Sequence, residues 1–193
     1  MKTNLFRLSC YILLLAFTSC KSCKKDVAPI DQLPPATQTG ANTAGCLING
    51  VAWIPNGDGW AGIPAIYTSG VQDQFLVIKL FYSPKSGNSN DYQEYISLCI
   101  NDYKTLGEKA LNSNTLPHPN TAGIRPKNYG RYIRRTTTES DYMTTVDVVG
   151  KVTITQFHQL RSDGPTSGTF EFDAIDPVTN KIISIKNGRF DIK

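Results

Sequence analysis

The sequence has few of the residues that most often carry catalysis and metal binding. Its 193 residues include only two histidines, two methionines, two tryptophans and five cysteines. His118 and His158 have no HxH or HExxH spacing and no paired cysteines beside them, which makes the common zinc sites improbable. Gly-x-Ser-x-Gly and the P-loop are also missing. The sequence therefore predicts no catalytic residue, no metal and no cofactor.

The chain also lacks a strong charge of one sign and a long apolar run. Its 20 Lys and Arg against 16 Asp and Glu give a net charge of +4, which falls to +2 without residues 1–19. Such a balance disfavours nucleic acid as a partner. With 40% hydrophobic residues, 15 Gly and 11 Pro, the composition is globular and excludes collagen-like, coiled-coil and acidic disordered chains.

The amino-terminal segment has the features of a bacterial lipoprotein signal peptide. Lys2 and Arg7 precede an apolar run at 11–17, and small residues come directly before Cys20. The run is about half of the ~20 residues that a membrane-spanning helix needs. The sequence predicts a signal at 1–19 and lipidation of Cys20; the alternative is an ordinary signal peptide ending near a cysteine. Cys10 and Cys23 are placed less well.

Residues 20–42 contain three prolines and no periodic apolar pattern, which predicts a flexible tether. The next 151 residues, 43–193, are enough for one buried core. Their apolar residues alternate with a period of two, at 75–82, 92–100, 129–136, 151–160, 168–175 and 181–192. Asn49 and Gly50 separate two short apolar runs, as in a tight hairpin. The expected fold is all-β, an antiparallel β-sandwich or a partly open barrel. A turn or two of helix is the most that 106–111 could form.

Three stretches of the chain look like the opening and the close of a known family. LPPATQTGANTAGCLINGVAW at 33–53, with SGTFEF at 167–172 and NGRFDI at 187–192, resembles a family of uncharacterised Bacteroidota lipoproteins, a domain of unknown function. The resemblance implies a lipid-anchored, β-rich envelope protein and carries over no catalytic residue. Lys24 and Lys25 stand where some lipoproteins of that phylum have acidic residues that direct surface display, which favours a periplasm-facing position at the outer membrane.

A basic stripe is the most concentrated charge feature of the sequence. Within 125–135 there are five basic residues and two tyrosines. In a strand, Arg131, Ile133 and Arg135 would share one face, and Tyr132 and Arg134 the other. Arg131, Arg134, Arg135 and Tyr132 are thus candidate ligand-binding residues for an anionic glycan or an envelope protein. The alternative is an edge strand whose charges prevent aggregation.

Two further hypotheses concern cysteines and aromatic residues. Cys46 and Cys99 lie on predicted strands and are a candidate disulfide in an oxidising compartment; two buried free thiols are the alternative. Trp53, Trp60, Tyr67 and the tyrosines of 82–103 are a candidate sugar-stacking platform, although such aromatics first of all build β-cores. The predicted function is a lipid-anchored, non-enzymatic binding or structural module of the cell envelope, held to the membrane through its lipid; the alternative is an envelope hydrolase with an unrecognised site.

Overall fold

The structure, a computed structural model, describes residues 26–56, 65–69, 75–84, 92–114, 127–158 and 164–193; for 65–69 it describes the backbone. Within these ranges the chain forms a short 3-10 helix and eleven strands. The helix is Pro29–Gln32, and the strands are β1 Thr43–Ile48, β2 Val51–Trp53, β3 Ala65–Ser69, β4 Phe75–Tyr82, β5 Gln93–Asn101, β6 Gly107–Leu111, β7 Tyr129–Arg135, β8 Glu139–Met143, β9 Gly150–Gln156, β10 Thr166–Ile175 and β11 Ile182–Ile192. The all-β prediction is confirmed.

The strands form one antiparallel sheet that curls into a half-barrel. Its order is β2-β1-β11-β10-β8-β7-β5-β4-β3, and β6 joins through β9, which pairs with the first part of β10. One edge of β10 therefore pairs with two strands, with β9 along its first part and with β8 at Ile175. After β2, the Asn56 N–H donates to the Phe81 carbonyl at 3.0 Å, and the Ser83 N–H donates to Asn56 Oδ1 at 2.9 Å. The segment after β2 thus lies beside the end of β4.

The core lies mainly on the inner face of the curled sheet. Alternate residues of β4, β5, β9, β10 and β11 form a single buried cluster there. A smaller cluster on the outer face contains Phe75, Val77, Cys99 and Tyr129. The prediction that 75–82 is buried on most of both faces is confirmed, with Lys79 as its exposed member.

The sequence patterns located the long strands and missed the short ones. Each long run predicted from period-two alternation is a strand within a few residues of its expected bounds. At 106–111, where the sequence allows at most a turn or two of helix, Gly107–Leu111 is strand β6 paired with β9. Strands β3 and β8 have only five residues each, too few for alternation to identify them. No helix in the described ranges is long and apolar enough to cross a bilayer.

The hairpin predicted at Asn49 and Gly50 is confirmed. Ile48 pairs with Val51, and the two turn residues have φ values of 49° and 81°, the positive φ that a type I′ turn requires at both positions. Asn49 also binds β11: its N–H donates to the Ser184 carbonyl, and its Oδ1 accepts from the Ser184 N–H at 2.9 Å. The turn therefore fixes the β1-β2 hairpin against the last strand.

Residues 33–42 differ from the flexible tether that the sequence predicts, and we call them the strap. The Asp191 carboxylate on β11 is 1% exposed and accepts hydrogen bonds from five donors within 3.2 Å. These donors are the Thr37 hydroxyl, the Thr39, Gly40 and Ala41 N–H groups, and the Ser167 hydroxyl of β10. Four of the five belong to the strap, so one buried carboxylate fixes it to the domain.

Further contacts hold the strap along its length. Leu33 is buried, Arg189 Nη1 donates to the Pro34 carbonyl at 3.1 Å, and the Lys193 N–H donates to Asn42 Oδ1 at 2.9 Å. A side chain at Gly45 would meet Pro34 at 3.1 Å and Leu33 at 3.3 Å. The absence of a side chain there lets the strap lie close to β1.

The hairpin turn gives a first testable prediction. A Cβ at Gly50 would meet no atom of the described structure within 4 Å, so any cost of a side chain comes from the backbone. We expect Gly50→Val to lower the free energy of unfolding by about 1–2 kcal/mol or more, because β-branched residues resist positive φ. Gly50→Asn is the matched control, since Asn tolerates this region. Equal urea midpoints for the two variants would contradict the argument.

A second prediction concerns Asp191. Burial alone would raise the pKa of this carboxyl, but hydrogen bonds from Thr37, Ser167, Ala41 and Gly40 outweigh burial and hold the pKa well below its usual range. The stabilisation is therefore fully present above the unfolded pKa of ~3.9 and is lost as the pH falls through the lower, folded-state pKa.

We expect Asp191→Asn to lower the free energy of unfolding by about 1–3 kcal/mol at pH 7, because an amide nitrogen would face donors. The difference between parent and variant should shrink at pH 3. The exposed Asp147→Asn is the control and should change stability little at either pH. A parent-to-variant difference that stays constant from pH 7 to pH 3 would rule out the proposed linkage.

Candidate functional site

Three arginines of the basic stripe, Arg131, Arg134 and Arg135, lie on β7 with the two faces that the sequence predicts. Tyr132 and Arg134 contact the same residue, Glu94, whereas Arg131 and Arg135 contact other residues across the opposite face. The edge-strand alternative is wrong, because β7 pairs with β5 on one side and β8 on the other. The charges therefore do not guard an open sheet edge.

On the outer face, two stripe arginines are paired with acidic residues of β8. Arg131 donates to both oxygens of Asp141, from Nε at 2.8 Å and Nη2 at 2.6 Å, and this bond raises the arginine pKa. Arg135 binds Glu139 at 2.7 Å, and its Nη2 also donates to the Tyr95 hydroxyl at 3.1 Å. A fork geometry of this kind uses the donors that an anionic ligand would need.

On the inner face, Glu94 of β5 contacts two further stripe residues, Tyr132 and Arg134. Glu94 is 8% exposed, and its Oε1 accepts a hydrogen bond from the Tyr132 hydroxyl at 2.7 Å. Its Oε2 accepts from Trp53 Nε1 at 2.7 Å, and Arg134 Nε lies 3.6 Å from Oε1. Burial and then the bond to Glu94 raise the pKa of Tyr132 well above its usual range. Glu94 thus joins β2, β5 and β7 through one carboxylate.

Three members of the predicted sugar-stacking platform come together beside Glu94. The ring centroids of Tyr82 and Tyr92 are 6.0 Å apart, and those of Trp53 and Tyr82 are 6.4 Å apart. The Arg134 guanidinium lies 5.0 Å from the Tyr92 centroid. These rings pack on one another and on Arg134, which is the arrangement of a packed aromatic cluster. The side chains of Trp60 and Tyr67 lie outside the described residues.

The disulfide hypothesis is contradicted by the structure. Cys46 and Cys99 are free, buried thiols, and they belong to the inner and outer clusters respectively. The sheet therefore separates them, which prevents a bridge. Burial, and next the Glu94 charge, raise the pKa of Cys46 well above its usual range, and burial raises the pKa of Cys99 to about 12. Both thiols are kept in the neutral, unreactive form.

The other candidate residues from the sequence, Cys20 and the two histidines, take no part in the contacts described above. Cys20 and His118 lie outside the described residues. His158 is exposed, and its Nε2 lies 3.3 Å from Gln156 Nε2. Within the described ranges no three His, Cys, Asp or Glu residues are grouped as a metal site would require.

Sequence reasoning missed the two carboxylates that hold most of these contacts, Glu94 and Asp191. Each acts through partners far away in sequence: Trp53 is 41 residues from Glu94, and Thr37 is 154 residues from Asp191. Neither residue belongs to a local motif. The local signal for Glu94 was its place on the same period-two face as the apolar Ile96 and Leu98 of β5.

Glu94 gives the third testable prediction. We expect Glu94→Gln to lower the free energy of unfolding by about 1–3 kcal/mol, because it replaces one acceptor oxygen and weakens two charge-assisted bonds to buried donors. Glu139→Gln is the matched control: it removes a more exposed ion pair with Arg135 and should cost under about 0.5 kcal/mol. The two costs are compared by urea unfolding. Equal costs would show that the buried carboxylate is dispensable.

The described carboxylates and thiols of this region thus act in packing and hydrogen bonding. Glu94 accepts bonds that join three strands, and Arg131, Arg134 and Arg135 each face a carboxylate of their own chain. A scan against protein-family models, a search of curated proteins and a search of solved structures each found no match.

Proposed function

We propose that this chain is a lipid-anchored protein of the cell envelope whose β-domain is a non-enzymatic binding or structural module. The anchoring part rests on the signal-like segment 1–19 and on Cys20 directly after it. Two or more acyl chains suffice for stable membrane attachment, since each buried methylene contributes about 0.8 kcal/mol. The proposed location is the outer membrane, with the domain facing the periplasm.

The strap supports a domain held near the bilayer. Because Leu33 is already buried against the domain, the connection to Cys20 consists of the segment 20–32. At ~3.5 Å per residue this segment reaches at most about 45 Å, and less across the compact turn Pro29–Gln32. The strap therefore limits how far the domain can move from its anchor, a property suited to a module that works at the membrane surface.

The non-enzymatic part is carried by one observation: the buried carboxylates are engaged by donors of the chain itself. Glu94 and Asp191 are bound as described above, and Asp176 accepts from the Thr179 hydroxyl at 2.8 Å and the Val178 N–H at 2.8 Å. The bonds from Thr179 and Val178 lower the pKa of Asp176. A carboxylate surrounded by donors is a weak general base, so these groups suit a stable scaffold.

The anchor gives the fourth testable prediction. We expect Cys20→Ser to leave the precursor without lipid and to move the protein from the detergent phase to the aqueous phase in detergent partitioning. Cys23→Ser is the matched control, because it changes the nearest other thiol and should leave partitioning unchanged. A Cys20→Ser protein that still partitions into detergent would overturn the anchoring proposal.

A further inference from the structure

A polar groove lies between the strap and the outer face of β9, β10 and β11. It has a volume of about 440 Å³, which is within the range of small-molecule sites. Ala36 of the strap forms one wall, and the floor includes Thr153, Thr169 and Arg189. We call it the strap groove. It is separate from the basic stripe, which lies on β7.

The floor of the strap groove is one row of neighbouring residues across three strands. Thr153 of β9 pairs with Thr169 of β10, and Thr169 pairs with Arg189 of β11. A β-bulge between the pairs at Phe170 and Phe172 shifts the alternation of β11, so that Arg189 points outward while Phe190 is buried. Among the described residues, the hydroxyls of Thr153 and Thr169 have no hydrogen-bond partner. Two hydroxyls and a guanidinium are thus aligned in an open groove.

Arg189 differs from the stripe arginines in its partners. Its Nε donates to the Asn187 carbonyl at 3.3 Å and its Nη1 donates to the Pro34 carbonyl at 3.1 Å. In the described part of the chain no carboxylate oxygen lies within 4.0 Å of its guanidinium nitrogens. Two neutral carbonyls therefore orient the group without neutralising it, and three of the five guanidinium N–H donors stay available.

Two of the other lining residues, Lys151 and Glu171, carry charges of opposite sign. Lys151 Nζ lies 3.1 Å from Glu108 and 3.8 Å from Glu171. Glu108 does not line the groove, so the net charge of the lining residues equals the charge of Arg189, which lies beside the two threonine hydroxyls and the exposed Asn187 side chain. A fork of N–H donors binds carboxylates well, and the hydroxyls and amide suit the hydroxyls of a sugar.

We propose that the strap groove binds an acidic carbohydrate of the uronic acid type, with its carboxylate on Arg189 and its hydroxyls near Thr153 and Thr169. The proposal rests on the proposed function, because it names the ligand class of that binding module. The site depends on the strap, because Ala36 forms one wall of the groove and the Pro34 carbonyl accepts a hydrogen bond from Arg189. Asp191 fixes the strap to the domain and so holds Ala36 and Pro34 in place. This places an anion site on β11 instead of on the stripe.

The experiment uses the lipidated protein purified in detergent and isothermal titration with tri-galacturonate. We expect saturable binding that weakens at higher salt, because the attraction is partly screened, and much weaker binding of the neutral galactotriose. Arg189→Gln should weaken tri-galacturonate binding about tenfold or more. The Arg131→Gln, Arg134→Gln, Arg135→Gln triple variant is the control and should bind as the parent does.

A second variant keeps the test decisive if Arg189→Gln loosens the strap. Thr169→Val leaves every observed strap contact in place, and we expect it to weaken tri-galacturonate binding several-fold with an unchanged melting temperature. The proposal would be overturned if the parent did not bind tri-galacturonate, or if both variants bound it as the parent does. It would also be overturned if inorganic phosphate displaced tri-galacturonate as effectively as free galacturonate does. If the parent does not bind tri-galacturonate but partitions into detergent through Cys20, only the groove ligand is refuted. If the parent does not partition into detergent, the proposed function is refuted.

Discussion

The Asp191 carboxylate is the interaction on which the rest of this structure depends. A buried charge is costly unless it is surrounded by donors, and here the donors come from the strap and from β10. The same bonds bring the strap beside the last strand. As a result, the strap, the close approach at Gly45 and the strap groove are all consequences of one satisfied carboxylate.

Glu94 plays the corresponding part on the inner face. It draws Trp53 from β2 and Tyr132 from β7 to one point, near the place where Asn56 bonds to the end of β4. These contacts join β2 to β4, β5 and β7 across the half-barrel. Buried polar groups of this kind select one arrangement among several that would bury similar apolar surface.

Charge pairing decides which arginines can serve a ligand. The stripe looked like an anion site because its five basic residues are close in sequence, yet Arg131, Arg134 and Arg135 all face carboxylates of neighbouring strands. Arg189 lies outside this run, and the fold leaves it facing two carbonyls. Density of charge along the chain is therefore a poor guide to the field at the surface, because sheet neighbours come from elsewhere in the sequence.

The sequence by itself determined the all-β class, the long strands, their buried faces and the Asn49-Gly50 hairpin. These features follow from residues within about ten positions of one another, since side chains alternate with a period of two and a tight turn needs positive φ. The tertiary structure alone decided that 33–42 is a strap, that Cys46 and Cys99 lie on opposite sides of the sheet, and that Arg131, Arg134 and Arg135 face carboxylates while Arg189, within the described residues, does not. Each of these depends on which strands are neighbours, and the contacts that set them join residues as far as 155 positions apart. No local periodicity encodes such pairs, because their energy comes from desolvated charges that find donors only when the sheet has formed.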